Sequence, residues 1–361
     1  MSHFSSPVVR IGKSAKHPNA ETLRIWNGPQ GPIIYRDGQF RDGDLAAFVT
    51  LDSVVDVSRP EFSFLADKAK DGKCRIRPIR LRGLPSVGLL VPVPPGLSEG
   101  DDASAALAVT KYEPPQVHSF GTDALAEKAP SDVFGLSEYD VENVWNIDQF
   151  SSLDGSITSE TPIRWHISEK IHGCNARYTY SDGKFHLGSK RRWVKDDGKN
   201  VWSIALRKLI DRVGEDELKG LLKNFVLFGE VYGRVQDLHY GIPNDVDFVA
   251  FDLYEKAGSR FLSPRMLDKV YGLPAKIRVT PQTLDAFGTL RQVVDILSEA
   301  KKSMYSQFAS QNGVKQMSEG VVIRPQDSDI LVKCRKGISR LLVKVVTDEY
   351  LQRQNGTEHT E

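Results

Sequence analysis

The 361-residue chain has few cysteines and no long apolar run. Cys74, Cys174 and Cys334 stand apart without CxxC spacing, which argues against a disulfide framework and against a structural zinc site. No stretch approaches the roughly 18–20 apolar residues needed to cross a bilayer. The amino terminus, MSHFSSPVVR, also lacks the apolar core of a signal peptide. We therefore expect a protein of a reducing compartment, cytoplasmic or (in a eukaryote) nuclear, with no membrane partner.

The chain also lacks an excess of either charge. Lys and Arg total 48 against 47 Asp and Glu, a formal net charge of +1. A chain so balanced does not coat nucleic acid or membrane by its overall charge, so any site for a polyanion must be local. Hydrophobic residues make up 40% of the chain and aromatic residues 9%, which is enough for packed cores and excludes a mainly disordered protein.

Turn signals and apolar patterns predict several domains. Residues 1–113 hold short strand-like segments separated by Asp-Gly turns, which fits a small β-barrel, although periodicity alone does not separate it from a sandwich. Residues 114–138, rich in Pro, Ser, Gly and Ala, predict a linker. Residues 139–352 mix strands and helices as an α+β domain does, and residues 353–361 predict a flexible tail. The helical patterns lie near 200–223, 264–270 and 282–310.

A basic segment, residues 68–82, carries seven cations and one acid. Its centre predicts a strand over 74–81, on which every second side chain points to the same face. The cations that follow this period, with a break at Pro78, are Lys73, Arg75, Arg77, Arg80 and Arg82. This pattern fits a solvated sheet face and fits equally a track for a phosphate backbone.

A lysine and a cationic hairpin give the first chemical signal. Lys170 lies at the end of a predicted strand in the segment EKIHGCN, and residues 184–195 that follow contain five cations and no acid. Neighbouring positive charge disfavours the ammonium form and lowers the pKa of a lysine, which a lysine nucleophile requires. The same cations would hold a triphosphate, whereas the alternative is a surface lysine in a turn.

Four further signals lie on predicted apolar strands. Glu230 (in FGEVYG) and Glu319 (in SEGVVIR) are single carboxylates, and a carboxylate such as Glu319 can hold Mg²⁺ while phosphates and waters complete the octahedron. Lys344, in LLVKVV, is costly to bury unless it has a partner such as a substrate phosphate. Phe251, in FVAFDLY, either belongs to the core or presents its ring to a purine.

In their order and spacing these segments resemble the covalent nucleotidyltransferase superfamily of polynucleotide ligases and mRNA capping enzymes. The similarity is closest to the RNA ligases of the Deinococcus and Naegleria nick-sealing type and extends over nearly the whole chain. It includes residues 17–23 (HPNAETL) and 81–90 in the amino-terminal part. The resemblance implies a multidomain fold, with an OB-type β-barrel (residues 1–113) ahead of an α+β nucleotidyltransferase domain (139–352).

The resemblance implies catalytic roles for three residues. Lys170 would take AMP from ATP, Glu319 would contact Mg²⁺ or Mn²⁺, and Lys344 would bind the α-phosphate. Residues implied in nucleotide binding are Glu169, His172, Asn175, Arg191, Glu230, Phe251 and Lys333. Within that set, Glu230 would bind the ribose hydroxyls and Phe251 would stack on adenine.

Three positions carry alternatives or departures from the family pattern. His172 stands where most ligases have an acid. Lys190 or Arg192 could take the role given to Arg191. Many ligases have a second lysine where this chain has Val346, a duty that could fall to Lys333 or Arg335.

The implied activity is ATP-dependent sealing of 3′-OH and 5′-phosphate ends through lysyl-AMP and an adenylated 5′ end. The expected partner is a nicked duplex with RNA on the 3′-OH side, whose backbone the cations of residues 73–82 would hold, and the expected state is a monomer. The alternatives are a GTP-dependent capping-type guanylyltransferase and a non-catalytic OB-fold RNA-binding protein.

Overall fold

The computed structural model describes residues 5–29, 31–51, 53–82, 84–112, 126–133, 136, 139–143, 147, 150–266, 276–300, 304–334 and 337–353. The chain divides into two compact units, Met1–Pro114 and Pro115–Glu361. No helix in the described ranges is both long and apolar enough to span a membrane.

Within the described residues, the first unit consists of short antiparallel strands and one 3-10 helix, Pro60–Lys68. The strands are β1 Val8–Arg10, β2 Ser14–Lys16, β3 Leu23–Gly28, β4 Gly31–Arg36, β5 Leu45–Val49, β6 Ser53–Asp56, β7 Lys73–Arg75, β8 Ile79–Leu81, β9 Leu84–Ser86, β10 Leu89–Val91 and β11 Thr110–Lys111. They pair in the orders β1-β5-β10, β2-β3-β4, β11-β6-β7 and β8-β9.

Strand β5 lies at the centre of this unit because both of its faces are apolar. Ala47 and Val49 pack into one buried cluster, and Ala46 and Phe48 pack into the other. A strand that is buried on both faces has a continuous run of apolar residues in its sequence. Residues 45–49 form such a run. The short strands therefore wrap around β5 on both sides.

The basic segment forms two strands where the sequence predicted one over 74–81. Strand β7 pairs with β6, and β8 pairs with β9 in another sheet. Pro78 lies between them, and proline cannot donate a hydrogen bond to a strand ladder. Arg82 begins the two-residue loop between β8 and β9 with a φ of 49°, as the tight hairpin turns that connect twisted strands require.

Two segments that were singled out in the sequence meet at this hairpin. The His17 Nε2 atom lies 3.1 Å from the Leu81 carbonyl oxygen, and Asn19 Nδ2 donates to the Arg82 carbonyl at 3.1 Å. These contacts fix the loop after β2 against the β8–β9 turn. They explain why both segments are needed in one small module.

The second unit contains two larger sheets and one small sheet. Its strands are β12 Ala126–Glu127, β13 Glu142–Asn143, β14 Ser151–Ser152, β15 Ile163–Lys170, β16 Cys174–Ser181, β17 Lys184–Gly188, β18 Trp193–Val194, β19 Phe225–Gly233, β20 Val246–Glu255, β21 Arg260–Phe261, β22 Gln282–Gly288, β23 Gly320–Pro325, β24 Leu331–Cys334, β25 Gly337–Arg340 and β26 Val343–Val346. The sheet orders are β12-β18-β17-β16-β19-β20-β21, β13-β26-β23-β15-β22 and β14-β24-β25. The helices are α1 Val201–Val213, α2 Glu215–Asn224, α3 Leu290–Ala300, α4 Gln307–Gln311 and α5 Asp348–Gln352.

Several predicted boundaries differ from those observed. The helix predicted over 200–223 is two helices, because Gly214 (φ 96°) ends α1. The first part of the helix predicted over 282–310 is strand β22, whose pairing with β15 overrides its local pattern. Residues 267–270 of the helix predicted over 264–270 lie outside the described residues. Part of the predicted linker, β12, pairs with β18 of the second unit, and residues 113–125 lie outside the described residues.

The two large sheets of the second unit face each other. On the outer face of the seven-stranded sheet, Leu227 and Phe248 pack against α1 and α2. The outer face of the five-stranded sheet buries Trp165 and Ile323 with α3. Between the sheets, residues of both join in two further clusters, one around Phe228, the other around Tyr232. Residues that alternate with the core positions therefore point into the space between the sheets.

A pair of glycine substitutions tests this packing. A Cβ on Gly229 of β19 would lie 2.2 Å from the Val249 carbonyl oxygen and 2.3 Å from the Phe248 ring. We expect Gly229→Ala to destabilise the protein by about 1–3 kcal/mol, because neither backbone nor ring can move away. Gly220→Ala, in exposed α2 with no atom within 4 Å, should stabilise it by about 0.4–1 kcal/mol. Urea unfolding of both variants measures this, and equal effects would contradict the packing.

Candidate active site

Lys170 and Glu319 meet at the ends of two neighbouring strands. Lys170 is the last residue of β15 and pairs in register with Gly320, the first residue of β23. Glu319 immediately precedes β23, and its Oε1 atom lies 2.7 Å from Lys170 Nζ. The Lys170 side chain is 24% exposed and that of Glu319 is 8% exposed, so the pair faces the space between the sheets with the lysine end open.

Glu169 lies on the opposite face of β15, since adjacent residues of a strand alternate. It is buried, and its Oε2 accepts a hydrogen bond from the Phe308 amide at 2.9 Å, at the start of α4. Burial raises the pKa of Glu169 above its ordinary value, and hydrogen bonds from Ser306 and Phe308 offset this in part. The prediction that Glu169 contacts a nucleotide is at odds with this position, because its carboxylate supports a helix end.

The Glu319 carboxylate is ionised although it is buried. Burial raises its pKa, but the charge of Lys170 and the proximity of His172 outweigh burial and lower the pKa to about 2. Its second oxygen, Oε2, is buried and has no hydrogen-bond partner among the described residues. Such an oxygen suits a divalent cation that takes most of its ligands from phosphates and water. No group of three or more metal-ligating side chains occurs in the described ranges.

Lys344 lies in the same sheet on β26, where it pairs with Val322 of β23. Burial lowers the pKa of Lys344, and the nearby charge of Lys170 lowers it further, against the opposing effect of Glu319. Val346, on the same face two residues on, packs into the apolar cluster around Tyr232. Where many ligases have a second lysine, this chain therefore has an apolar side chain that packs in the core.

His172 follows the lysine and is held from three sides. Its Nε2 lies 2.8 Å from Asp237 Oδ1, and its Nδ1 lies 2.9 Å from the Tyr350 hydroxyl. The His172 amide donates to the Tyr240 hydroxyl at 2.7 Å. The distance from His172 Nδ1 to Glu319 Oε2 is 3.6 Å, longer than a hydrogen bond.

Gly173 carries the chain from one large sheet to the other by close approach to β19. A Cβ on it would lie 2.2 Å from the Val231 carbonyl oxygen and 2.9 Å from Glu230 Cγ. Asn175 then pairs in register with Glu230, so their side chains share one face. The Asn175 Oδ1 atom is buried without a hydrogen-bond partner among the described residues. It could therefore accept a hydrogen bond from a ligand.

Phe251 occupies an irregularity in β20. Gly229 pairs with Ala250 and Phe228 pairs with Asp252, so Phe251 is the extra residue of a bulge. Bulges re-aim side chains, and this one turns the half-buried Phe251 ring to the inner side of the sheet. Its ring centroid lies 4.9 Å from that of Tyr139.

Beside the bulge, Asp252 binds three donors. Its Oδ2 accepts from the Tyr139 hydroxyl at 2.8 Å and from Arg340 Nη2 at 3.0 Å, and it lies 3.2 Å from Arg324 Nη1. Arg324 Nη2 also donates to the Phe251 carbonyl at 2.9 Å. This network holds the Phe251 backbone from the five-stranded sheet.

The cationic hairpin is less purely cationic than its sequence suggests. Lys190 Nζ lies 3.0 Å from Asp140 Oδ1, and burial of Asp140 is outweighed by the charges of Lys190 and Lys344, which lower its pKa. Arg191 and Arg192 are exposed on the loop between β17 and β18. Lys190 is therefore the hairpin cation placed near Lys344.

Lys333 is not brought to this centre by its sheet. It lies on β24, in the separate three-stranded sheet, and is exposed. Arg335 lies outside the described residues. Neither gives support for replacing the second strand lysine.

In the first unit, the predicted alternation of the basic segment is observed over residues 73–77, of which Lys73–Arg75 form a strand. Lys73 and Arg77 are exposed and Arg75 is half-buried, whereas the intervening Cys74 and Ile76 are buried. The Arg75 guanidinium lies 3.8 Å from the centroid of the Tyr112 ring. Arg82 is exposed in the β8–β9 turn, and the side chain of Arg80 lies outside the described residues.

Comparison with known proteins agrees with this arrangement. A family model described as RNA ligase matches residues 163–346, just over half of the chain. The chain belongs to the RNA ligase family. A second model, described as an OB-fold domain, matches residues 6–93, and a search of curated proteins finds no match. The predicted fold, an OB-type barrel ahead of a ligase nucleotidyltransferase domain, is confirmed.

Solved structures of Naegleria gruberi RNA ligase are similar to this RNA ligase family member along its length. An aspartate-to-alanine variant without ligand has a TM-score of 0.71 at 19% identity, with 98% of each chain covered. The complex with PPi has a TM-score of 0.69 at 21% identity, covering 96% of this chain and 97% of that one. A lysine-to-alanine variant with ATP and Mn has a TM-score of 0.69 at 19% identity, covering 96% and 98%. At this identity the likeness demonstrates the shared fold.

The ligase domain also contains site residues that the sequence did not reveal. Asp237, Tyr350 and Arg353 surround His172, and Arg353 Nε donates to Asp237 Oδ2 at 2.7 Å. Arg353 belongs to this network although residues 353–361 predicted a flexible tail, and residues 354–361 lie outside the described residues. The local sequence around Asp237 and Arg353 does not mark them as site residues, because only the fold brings them together.

Replacing the strand lysine of the ligase domain tests its electrostatics. A lysine whose pKa is lower in the folded than in the unfolded state destabilises the fold wherever it is charged, and that cost vanishes above its ordinary pKa of 10.5. We therefore expect Lys344→Met to unfold at a higher temperature than wild type near neutral pH, with the difference shrinking as pH rises towards 10.5.

Thermal unfolding from about pH 7 to about pH 11 measures this difference. The matched control is Lys199→Met, which removes an exposed lysine just before α1 and should change stability little at any pH. A Lys344→Met protein less stable than wild type at neutral pH would contradict the assignment.

Proposed function

We propose that the protein is an ATP-dependent RNA ligase that joins 3′-OH and 5′-phosphate ends through an adenylate carried on Lys170. The single observation that carries this proposal is the pairing of Lys170 Nζ with the buried Glu319 carboxylate in a chain of the RNA ligase family. Similar solved structures of Naegleria gruberi RNA ligase with ATP and Mn, AMP and Mn, or PPi support the choice of nucleotide and metal.

In the first step, the Lys170 amine attacks the α-phosphorus of ATP. A P–N bond forms, the bond to the β-phosphate oxygen breaks, and pyrophosphate leaves. The ion pair with Glu319 favours the ammonium form, so Lys170 must first release a proton to solvent and separate from the Glu319 carboxylate. Glu319 would then share Mg²⁺ or Mn²⁺ with phosphate oxygens and water, and such an ion supplies positive charge against the phosphates.

Lys344 would bind the α-phosphate during this step. Its burial makes the unpartnered charge costly, and a phosphate oxygen would remove that cost as negative charge grows in the transition state. Lys190, placed near Lys344, would add positive charge near the α-phosphate. The exposed Arg191 would contact ribose or phosphate.

Glu230, Asn175 and Phe251 would hold the nucleoside. Glu230 and Asn175 lie on one face of neighbouring strands, where a carboxylate would accept from ribose hydroxyls and an amide would meet a phosphate or hydroxyl. The bulge aims Phe251 to the same side, where its ring would stack on adenine.

The later steps transfer AMP to a 5′-phosphate and then seal the ends. A 5′-phosphate oxygen attacks the lysyl-bound phosphorus and breaks the P–N bond, and a 3′-OH then attacks the adenylated phosphate and releases AMP. We infer a nicked duplex with RNA on the 3′-OH side, and a monomer in the cytoplasm or nucleus. The exposed cations around β7 in the OB-fold unit support contact with duplex backbone.

A labelling experiment tests the chemistry, the nucleotide and the residue together. Wild type incubated with α-labelled ATP and a divalent cation should retain label on a denaturing gel, and α-labelled GTP should give none. Lys170→Ala should retain no label, because the variant lacks the amine that is proposed to carry the adenylate. Label from GTP alone would favour the capping-type alternative, and no label from either nucleotide would favour a non-catalytic RNA-binding protein.

A charge-reversal pair tests the OB-fold unit as the duplex-binding surface. Arg75→Glu with Arg77→Glu should weaken binding to a nicked duplex and reduce the slope of log K against log salt by about two, since each phosphate contact contributes about 0.9. The matched control reverses two exposed cations elsewhere in the unit, Lys13→Glu with Arg41→Glu. Salt titrations of both should differ, and equal slopes in the two double variants would rule out a special role for the β7 face.

A further inference from the structure

A tyrosine and a lysine form an exposed pair in the segment that precedes β23. The Lys315 Nζ atom lies 4.5 Å from the centroid of the Tyr305 ring, within the range of a cation–π contact. Tyr305 is 55% exposed, and Lys315 is exposed as well. The pair therefore presents an aromatic surface and a positive charge to solvent at one place.

The Tyr305 side chain lies on the same side of the five-stranded sheet as the candidate active site. Two backbone hydrogen bonds of 2.7 and 2.9 Å flank the antiparallel bridge between Tyr305 and Met317, and the side chains of such a pair lie close together on one face. Met317 packs against the cluster around Tyr232, which lies between the two large sheets. Met304 packs instead against the outer-face cluster that contains residues of α3, as alternation along an extended segment requires. Tyr305 therefore faces the space between the sheets.

The proposed nucleotide contacts occupy successive positions along β23. From the end of the strand towards its start, they are Phe251 at Arg324, Lys344 at Val322, and Lys170 at Gly320 and Glu319. Tyr305 comes next in the same direction, because its partner Met317 lies two residues before Glu319, at most about 7 Å along the chain. Along β23, Tyr305 and Phe251 therefore lie on opposite sides of Lys170.

This order separates a ligand at Tyr305 from the nucleoside of ATP. The base is assigned to the Phe251 side, so a ligand at Tyr305 approaches the α-phosphate from the other side, as the leaving pyrophosphate or the attacking polynucleotide end does. Pyrophosphate has no flat surface for a ring to contact. A nucleobase stacks on tyrosine, and the phosphates beside it attract an ammonium group. The pair therefore fits a nucleotide of the polynucleotide substrate.

The charge of the surrounding segment also suits a polyanion. Lys315 is the only charged residue in the sequence from 304 to 318. Exposed neutral side chains lie in the same segment, namely Gln307, Ser310 and Gln311. Amides and hydroxyls of this kind donate hydrogen bonds to phosphate and sugar oxygens. No carboxylate of this segment therefore opposes an approaching phosphate.

We propose that Tyr305 and Lys315 bind the terminal nucleotide of the strand that carries the 5′-phosphate, with its base stacked on the Tyr305 ring. The 5′-phosphate is the group that attacks the adenylate on Lys170, whereas the 3′-OH reacts only after the lysine has released AMP. The short separation between Met317 and Glu319 suits the nucleoside next to that phosphate. The inference rests on the proposed function for the identity of the reaction, and it concerns AMP transfer rather than lysine adenylylation.

The test measures lysine adenylylation and AMP transfer separately in the full-length protein. Single-turnover labelling with α-labelled ATP gives the rate at Lys170. Transfer of AMP from the labelled protein is then followed over a range of nicked-duplex concentrations, and equilibrium binding of each duplex is measured in parallel. The duplexes are intact, abasic at the nucleotide with the 5′-phosphate, or abasic at the nucleotide with the 3′-OH. Thermal unfolding checks the fold of every variant.

The variants remove the ring and the charge one at a time. Tyr305→Ala and Tyr305→Leu remove the ring, Tyr305→Trp keeps a stacking surface, and Lys315→Ala removes the charge. Ile296→Ala is the control for an exposed apolar side chain, because Ile296 is 59% exposed on α3. Lys219→Ala is the matched control for the cation, because Lys219 Nζ also lies over a tyrosine ring, 5.7 Å from the centroid of Tyr180.

We expect Tyr305→Ala and Tyr305→Leu to label Lys170 at the wild-type rate but to bind the intact nicked duplex about 5–150-fold more weakly, the range for loss of one stacking ring. Tyr305→Trp should bind as wild type does. The loss in Tyr305→Ala should disappear on the duplex that is abasic at the 5′-phosphate nucleotide and persist on the other abasic duplex. Lys315→Ala should lower the slope of log K against log salt by about 0.9, and both controls should match wild type.

Three results would overturn the proposal. One is a folded Tyr305→Ala or Tyr305→Leu protein that binds the intact duplex as tightly as wild type. Another is a loss of affinity that persists on the duplex without the 5′-terminal base, since the ring then does not stack on that base. The third is a slowing of Lys170 labelling as large as the loss in AMP transfer. A wild-type protein that takes no label from ATP contradicts the proposed function instead, and the binding measurements then still test Tyr305.

Discussion

The ion pair between Lys170 and Glu319 is the constraint on which the rest of the ligase domain depends. Its two members sit at the ends of adjacent strands, so the register of β15 and β23 sets their separation without any loop being ordered. Lys344 on the next strand makes the centre a group of two lysines and one carboxylate. An excess of positive charge in a half-buried cleft is costly alone, and the phosphates of the proposed nucleotide would offset that cost.

The opposite wall of the cleft follows a different rule. On β19 and β16 a regular register places Glu230 and Asn175 side by side, but the aromatic residue comes from a bulge in β20. The bulge turns Phe251 and the neighbouring Asp252 inward together. Arg324, from the facing five-stranded sheet, and Arg340, from the separate three-stranded sheet, bind Asp252, so the network that fixes the aromatic ring also joins these sheets.

Much of this centre was predictable because it lies on strands. Apolar runs with a single charged residue marked Glu319 and Lys344, and a strand ending at a glycine-containing turn marked Lys170. The predictions failed where long-range pairing decides the structure. Residues 282–288 have a helical pattern yet form the edge strand beside β15. Asp237 and Arg353 are ordinary polar residues until the fold brings them to His172.

The parallel pairing of β13 with β26 affects how the protein can fold during its synthesis. Glu142 and Val343 are partners across most of the domain, and Lys170 is translated long before Glu319 and Lys344. At roughly 5–20 residues per second, many seconds separate the synthesis of Lys170 from that of the strands which complete its surroundings. A nascent chain on the ribosome therefore displays Lys170 without its counter-charge, and the group of Lys170, Glu319 and Lys344 assembles only as the carboxyl-terminal strands emerge and close the sheet.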